Sequence, residues 1–294
     1  MHIGVVLPQS DWKETLETAR HAEKIGCDSV WVVDHLLGFP AERGILEAFT
    51  TLSALAASTE RVQIGAQVFC QSFRNPALFA KMAATLDTIS NGRLRLLIGT
   101  GWFESEYQQY NYEFPPPGTL IEQLQDTIRI FKGMLGGAAP FTYEGKHYSV
   151  HEVINAPLTR PGIPIEVGGG RNRVMQTIAR EADGWNCPAF ALGMLDDRLA
   201  YLEQQCEKRG RSIKDLHLSC QIACAIDDEE AAASPPISMF DPSSGFVGSV
   251  EKVIDRANEL LAKGLTDFNL VVARGARGRA SLERLVNEVR PKVA

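Results

Sequence analysis

The feature that most restricts what this chain can fold into is a repeating alternation of two patterns. Short β-branched, apolar runs occur at residues 2–7, 28–33, 62–68, 94–98, 163–167, 185–187, 216–226 and 267–272. Each leads into a segment whose apolar residues recur at helical spacing. Trp12, Leu16, Ala19, Ala22 and Ile25 form the first such face, with Asp11 and Glu14 spaced as a helix start and Gly26 placed as a stop. Further helices are expected over residues 45–57, 76–89, 120–135, 172–182, 195–209, 250–263 and about 279–289. Pro76 opens the third and Ser249 caps the seventh, while Gly92 and Gly264 close those two. Strands separated by helices pair in parallel through right-handed crossovers. Eight such repeats in 294 residues match a closed (β/α)₈ TIM barrel better than an open doubly wound sheet. No GxGxxG follows the first strand, which also weakens the dinucleotide-fold alternative.

The expected architecture is therefore one α/β barrel domain over residues 1–294, with an insertion after strand four at about residues 104–160. That insertion contains one helix and a Gly, Tyr and Pro-rich piece at 141–150 that reads as a hairpin. A second irregular stretch, 231–248, reads either as a substrate lid or as a disordered loop, and its Met239, Phe240 and Phe246 suit an apolar substrate or packing on neighbours or a partner subunit.

Composition narrows the class of function. Apolar residues are 45% and charged residues 22% of the chain, an ordinary globular balance that excludes wholesale disorder. The net charge of −6 argues against nucleic acid as partner, though a local basic pocket for one phosphate is compatible with it. No run approaches the roughly 18 apolar residues of a membrane span, and the first residues do not read as a targeting segment. Six cysteines without a CxxC pair read as buried free thiols, which points to the cytoplasm.

A barrel of this kind places chemistry in the loops after its strands, on the C-terminal face. Those loops begin here near Pro8, Asp34, Phe69, Gly99, Gly168, Pro188, Asp227 and Ala273. They hold no Schiff-base lysine, no convergent set of metal ligands and no GxSxG elbow. A small-molecule cofactor is then expected to carry the reaction. The best handle for one is Gly168-Gly169-Gly170-Arg171-Asn172-Arg173, a triple glycine opening a helix, where backbone amides and arginines can close on a phosphate. Ala182-Asp183-Gly184-Trp185-Asn186 follows one helix later, with Gly184 as a second small residue and Asn186 as a polar group for the same ligand. Asp34-His35 is the first choice for catalysis, because His35 alone among the histidines ends a strand and can hydrogen-bond a ring or move a proton.

Ser29-Val30-Trp31-Val32-Val33-Asp34-His35, Gly99-Thr100-Gly101-Trp102, the triple glycine and Ala182-Asp183-Gly184-Trp185-Asn186 stand in this order and spacing. Together the segments resemble the bacterial luciferase-like monooxygenase superfamily, and within it the oxidoreductases that use the deazaflavin coenzyme F420. Arg74-Asn75-Pro76, Ser90-Asn91-Gly92-Arg93 and the segment 264–272 extend the likeness along nearly the whole chain. The resemblance implies a dimeric (β/α)₈ barrel with the deazaflavin ring across its mouth. It implies that Gly168, Gly169, Gly170, Arg171 and Gly184 surround the phosphate. It further implies a non-prolyl cis peptide at Gln67-Val68 whose bulge braces the ring. Asp34 would contact the polar edge of the coenzyme or orient a neighbour, and Trp102 and Trp185 would wall the substrate pocket.

One departure matters. Sugar-phosphate dehydrogenases of this branch carry a glutamate proton donor directly after the GTG of strand four, and this chain has Trp102 there. Glu104 and Glu106 lie nearby but out of register. Sugar-phosphate oxidation is therefore disfavoured and the substrate left open. The expected reaction is hydride transfer between coenzyme F420 and a small organic substrate. The alternatives are an FMN-dependent monooxygenase or reductase on the same fold, and a barrel that binds a phosphorylated ligand without catalysis.

Overall fold

A computed structural model describes residues 1–38, 41–228 and 241–293. Its eight long parallel strands are β1 (His2–Val6), β2 (Ser29–Val32), β3 (Gln63–Ala66), β4 (Leu94–Gly99), β5 (Ile165–Gly168), β6 (Gly184–Cys187), β7 (His217–Ile226) and β8 (Asp267–Val272). Each pairs with the next, and β8 pairs back onto β1 with His2 opposite Asp267, so the sheet closes into the expected barrel. Helices Trp12–Ile25, Ala48–Ser58, Pro76–Ile89, Pro117–Leu135, Asn172–Glu181, Leu195–Glu207, Val250–Ala262 and Ala276–Arg284 provide the crossovers. Ile3, Val5, Ile98, Val167, Phe268 and Leu270 belong to the continuous apolar core, where each is 0% exposed.

Local chemistry accounts for the helix boundaries. Asp11 accepts from the Glu14 amide at 2.8 Å, and Asn75 caps a helix that has Pro76 in its first turn. The second helix begins at Ala48 and not at residue 45, because the Glu47 carboxylate accepts from the Phe49 and Thr50 amides. The closing helix begins earlier than expected and continues as a π turn over Leu285–Val289. The insertion holds a short helix, Glu104–Gln109, which periodicity did not single out, and then the antiparallel hairpin Phe141–Glu144 with Ser149–Val153. Of the second irregular stretch, Met239 and Phe240 lie outside the described residues, whereas Phe246–Gly248 forms a short strand beside β7.

The inside of the barrel is polar at both ends. Near the N-terminal ends of the strands, Arg95 of β4 bonds Glu166 of β5 at 2.5 Å and Asp267 of β8 at 3.0 Å. His217 of β7 joins the same two carboxylates at 3.1 and 2.7 Å. Above this layer Trp31 fills the centre, with Arg95 stacked on its ring at 5.6 Å. Gly4 and Gly65 make room for it, since a Cβ at either would lie 2.5 and 2.7 Å from the indole. Toward the C-terminal ends, Gln67 donates to Asn186 at 2.7 Å and accepts from Asn269 at 2.6 Å, and Asn186 donates to Ser219 at 2.8 Å. These contacts join β6, β7, β8 and the end of β3, so they span the barrel and form a floor under its mouth. All six cysteines are buried and free, and burial pushes Cys27, Cys70, Cys187 and Cys224 up to about 12. Among the described residues no helix is long and apolar enough to cross a membrane.

Candidate functional site at the barrel mouth

Three groups of side chains stand on the C-terminal face. The first is the corner after β5. Gly169 has φ +149°, a conformation open to few other residues, and a Cβ on Gly170 would come within 3.0 Å of Ala191. The chain then enters helix Asn172–Glu181 with Arg171 at the N-cap, whose side chain makes no capping bond. Arg171, Asn172 and Arg173 are exposed. Arg198, from the helix after β6, donates to Asn172 Oδ1 at 2.9 Å and reaches the Gly170 carbonyl at 3.4 Å. Backbone without side chains, a helix N-terminus and the Arg198 guanidinium beside it are features that suit a phosphate monoester or diester.

The second group surrounds the peptide bond Gln67-Val68, which is cis. Val68 sits between two strand-end glycines. A Cβ on Gly99 would lie 2.5 Å from Val68 Cγ2, and one on Gly168 would lie 2.6 Å from Val68 Cγ1. Both glycines therefore let the bulge enter the mouth beside the triple-glycine corner.

The third group centres on His35. Its Nδ1 lies 2.9 and 3.0 Å from the two carboxylate oxygens of Glu106. Glu106 is 1% exposed and its Oε1 also accepts from the Leu36 and Leu37 amides, both at 3.1 Å. The Trp102 ring meets His35 edge-on at 5.7 Å and stacks on Phe103 at 5.3 Å, while remaining 63% exposed. The helix bearing Glu106 is anchored from below by Tyr107, whose hydroxyl lies 3.2 Å from Cys70 Sγ. Burial raises the pKa of that phenol, so the pair is neutral packing at physiological pH.

The structure places the other residues singled out from sequence as follows. Of the two roles expected for Asp34 it shows the orienting one: Asp34 is 4% exposed and holds Arg74 in a two-pronged ion pair at 2.6 and 2.9 Å, while also accepting from the Cys70 amide. Burial opposes the charge on Arg74, but Asp34 and Glu47 outweigh it and raise its pKa. Asp34 thus orients the strand-three bulge and has its oxygens committed there, in place of touching the coenzyme. Asn186 is 1% exposed and spends its amide on Gln67 and Ser219, so both it and Gln67 support the mouth from beneath. Trp185 is wholly buried and donates to the Gly169 carbonyl at 2.7 Å, which braces the phosphate corner but excludes a pocket-wall role. Gly184 begins β6 and therefore lies at the opposite end of the barrel from the triple glycine. A Cβ there would meet the His217 carbonyl at 2.7 Å and Glu166 Cγ at 2.9 Å, so Gly184 serves the ionic layer at the base and not the phosphate. The motif's spacing and the family resemblance both suggested a place beside the phosphate, but an αβ connection returns to the N-terminal face.

Glu106, Arg74 and Arg198 escaped sequence reasoning as site residues. Arg74 had a trace in the Arg74-Asn75-Pro76 segment, and Glu106 was set aside as out of register with the strand-four motif. Nothing in the sequence marks Arg198, since its place depends on how two helices lie against each other.

A parallel eight-stranded barrel with a triple-glycine corner after β5, a strand-three bulge and a strand-two histidine defines the class. The luciferase-like monooxygenase family matches residues 2–263, and the chain belongs to that family. Among relatives, it is 29% identical over 262 residues to an F420-dependent glucose-6-phosphate dehydrogenase of Amycolatopsis mediterranei, covering 84% of this chain and 77% of that protein. A protein of the same name from Kineococcus radiotolerans is 30% identical over 231 residues, covering 77% and 68%. The structure of an F420-dependent secondary alcohol dehydrogenase in complex with an F420-acetone adduct superimposes with a TM-score of 0.84 at 19% identity, covering 100% of this chain and 99% of that one.

Proposed function

We propose that this protein is an oxidoreductase that transfers a hydride between coenzyme F420 and a small organic substrate. The observation that carries the proposal is the corner after β5, where a triple glycine leads into the N-terminus of helix Asn172–Glu181, Arg198 reaches the Gly170 carbonyl, and Arg171 and Arg173 are exposed at the N-cap and in the first turn. Coenzyme F420 continues past its phosphate into an oligoglutamate tail, for which exposed arginines are complementary; FMN ends at the phosphate. Similarity to F420-dependent dehydrogenases supports the same reading.

The bound coenzyme supplies or accepts a hydride at C5 of its ring. The chain does the remainder. Amides at the start of helix Asn172–Glu181 would hold the phosphate, and Val68 with its flanking glycines would support the ring. His35 faces the mouth as the group that receives or returns the substrate proton. Trp102 and Phe103 form an aromatic wall that excludes water from one side of the substrate. The relatives are named for a sugar phosphate, but the residue after Gly101 here is an exposed indole, which favours a substrate with an apolar flank.

The proposal includes a cytoplasmic location, where six free thiols stay reduced, and a homodimer. Exposed Leu78 and Ile89, eleven residues apart on one helix, offer an apolar stripe for such contact. Titration of the apoprotein with coenzyme F420 and, separately, with FMN, followed by tryptophan quenching, tests the cofactor assignment. Selective binding of F420 is expected, followed by turnover within a panel of alcohols, enones, nitro compounds and glucose 6-phosphate. Preferred binding of FMN, or of neither, overturns the assignment. Sedimentation equilibrium checks the dimer.

A further inference from the structure

Glu106 has no counterpart in the reading of the site as a coenzyme cradle with a histidine beside it. It is a buried carboxylate in a short helix, and its partners are specific. Oε1 accepts from two consecutive backbone amides, Leu36 and Leu37, and both oxygens lie within 3.0 Å of His35 Nδ1. A carboxylate has no proton to give, so Nδ1 must be the donor in this contact. In a neutral imidazole the other nitrogen is then the acceptor.

We propose that Glu106 is a positioning residue that fixes His35 as the Nδ1–H tautomer and thereby makes Nε2 its proton-accepting atom. This rests on the hydride-transfer reading for its catalytic consequence, but the tautomer itself is a property of the protein alone. The two backbone amides hold the carboxylate still, and the carboxylate holds the ring. The edge-on contact with Trp102 adds a second constraint on ring orientation. In the direction of substrate oxidation, Nε2 takes the proton from the substrate hydroxyl as the hydride leaves the same carbon for the coenzyme. The C–H bond breaks with its electron pair, the O–H electrons become the second bond of the carbonyl, and the proton remains on His35. Reduction runs the same transfers backwards.

Glu106→Gln is the informative substitution because it keeps the size and reverses the polarity. With the Gln carbonyl retained at the Oε1 position by the Leu36 and Leu37 amides, its NH₂ takes the Oε2 position 3.0 Å from His35 Nδ1, where an N–H donor disfavours the Nδ1–H form and favours Nδ1 as acceptor. The proton moves to Nε2, and the base is lost without loss of the side chain. A wrong tautomer at a general base is expected to lower kcat about 100-fold or more, with the KM for the coenzyme nearly unchanged. Glu106→Asp is too short to hold both the amides and the ring, and is expected to fall between.

The test is ¹⁵N NMR of histidine-labelled apoprotein at a pH where an ordinary imidazole is neutral, with His35 assigned by its loss in His35→Gln. The wild type should show a protonated Nδ1 and an unprotonated Nε2, and Glu106→Gln should show the reverse. Circular dichroism on both variants establishes that they are folded. A wild-type His35 protonated on Nε2 overturns the proposal, whether or not the protein uses F420. So does a folded Glu106→Gln variant that keeps the wild-type tautomer, or one that keeps wild-type kcat. Failure of the wild type to bind F420 would sink the cofactor reading while leaving the tautomer measurement to decide this one.

Discussion

The ionic layer at the base of the barrel makes stability depend on pH in a defined direction. His217 stands between Glu166 and Asp267; burial works against its charge, but hydrogen bonds and attraction from those carboxylates win and raise its pKa from 6.5 to about 9. A folded-state pKa above the unfolded one means the folded protein binds a proton more tightly. The resulting stability is fully present below pH 6.5 and is lost as pH rises through 9. The raw shift corresponds to about 3 kcal/mol at roughly 1.4 kcal/mol per unit. The imidazole is 33% exposed, so solvent screening reduces this to roughly 1–2 kcal/mol. Replacing His217 by Gln removes the titration and should remove that slope. At roughly 2 °C per kcal/mol for a chain of this size, the wild type should lose about 2–4 °C more than the variant between pH 6 and pH 9. Thermal unfolding of both proteins across that range is the assay. Thiol ionisation in the unfolded chain affects both equally and cancels in the difference. The carboxylates act at the acid end: Asp267 and Glu166 are held low, so their contribution is lost only as pH falls below their unfolded range. Parallel Tm–pH curves for wild type and His217→Gln would refute the reasoning.

Gly184→Ala should destabilise the fold by about 1–3 kcal/mol through the contacts of its new Cβ with His217 and Glu166, and leave F420 affinity unchanged; weakened binding in a folded variant would return Gly184 to the phosphate. Asp34→Asn removes the charge that faces Arg74 and should cost about 3 kcal/mol in denaturant unfolding, with Glu47 limiting the loss. Replacing Arg171 and Arg173 together by Ala should weaken F420 binding by about tenfold or more and FMN binding less; equal losses in the two titrations would place those arginines away from the tail.

The alternation of apolar runs and helical faces was enough to give the barrel, because a strand of this kind can bury both faces only under crossover helices. The positions of all eight strands agree with the structure to within a few residues. The placement of the triple glycine and His35 on the C-terminal face was legible, because strand ends define the face on which loops collect. Gly184, Asn186 and Trp185 were found as residues but not in the positions expected of them, whereas the cis bond at Gln67-Val68 and a neighbour-orienting Asp34 agree with the structure. Each is small, polar or aromatic for a partner far away in sequence: Gly184 for His217, Asp34 for Arg74, and Trp185 for the Gly169 carbonyl. Periodicity reports which way a side chain points and says nothing of what it meets.

The sequence by itself determined the fold and the face on which the loops after the strands collect, since these follow from local patterns repeated eight times. The tertiary structure alone decided which acid serves the histidine. Glu106 lies 71 residues from His35 and reaches it only because the chain after β4 turns back across the mouth as a short helix. Such a pairing depends on the closure of the barrel, and no local pattern in the chain encodes that distance.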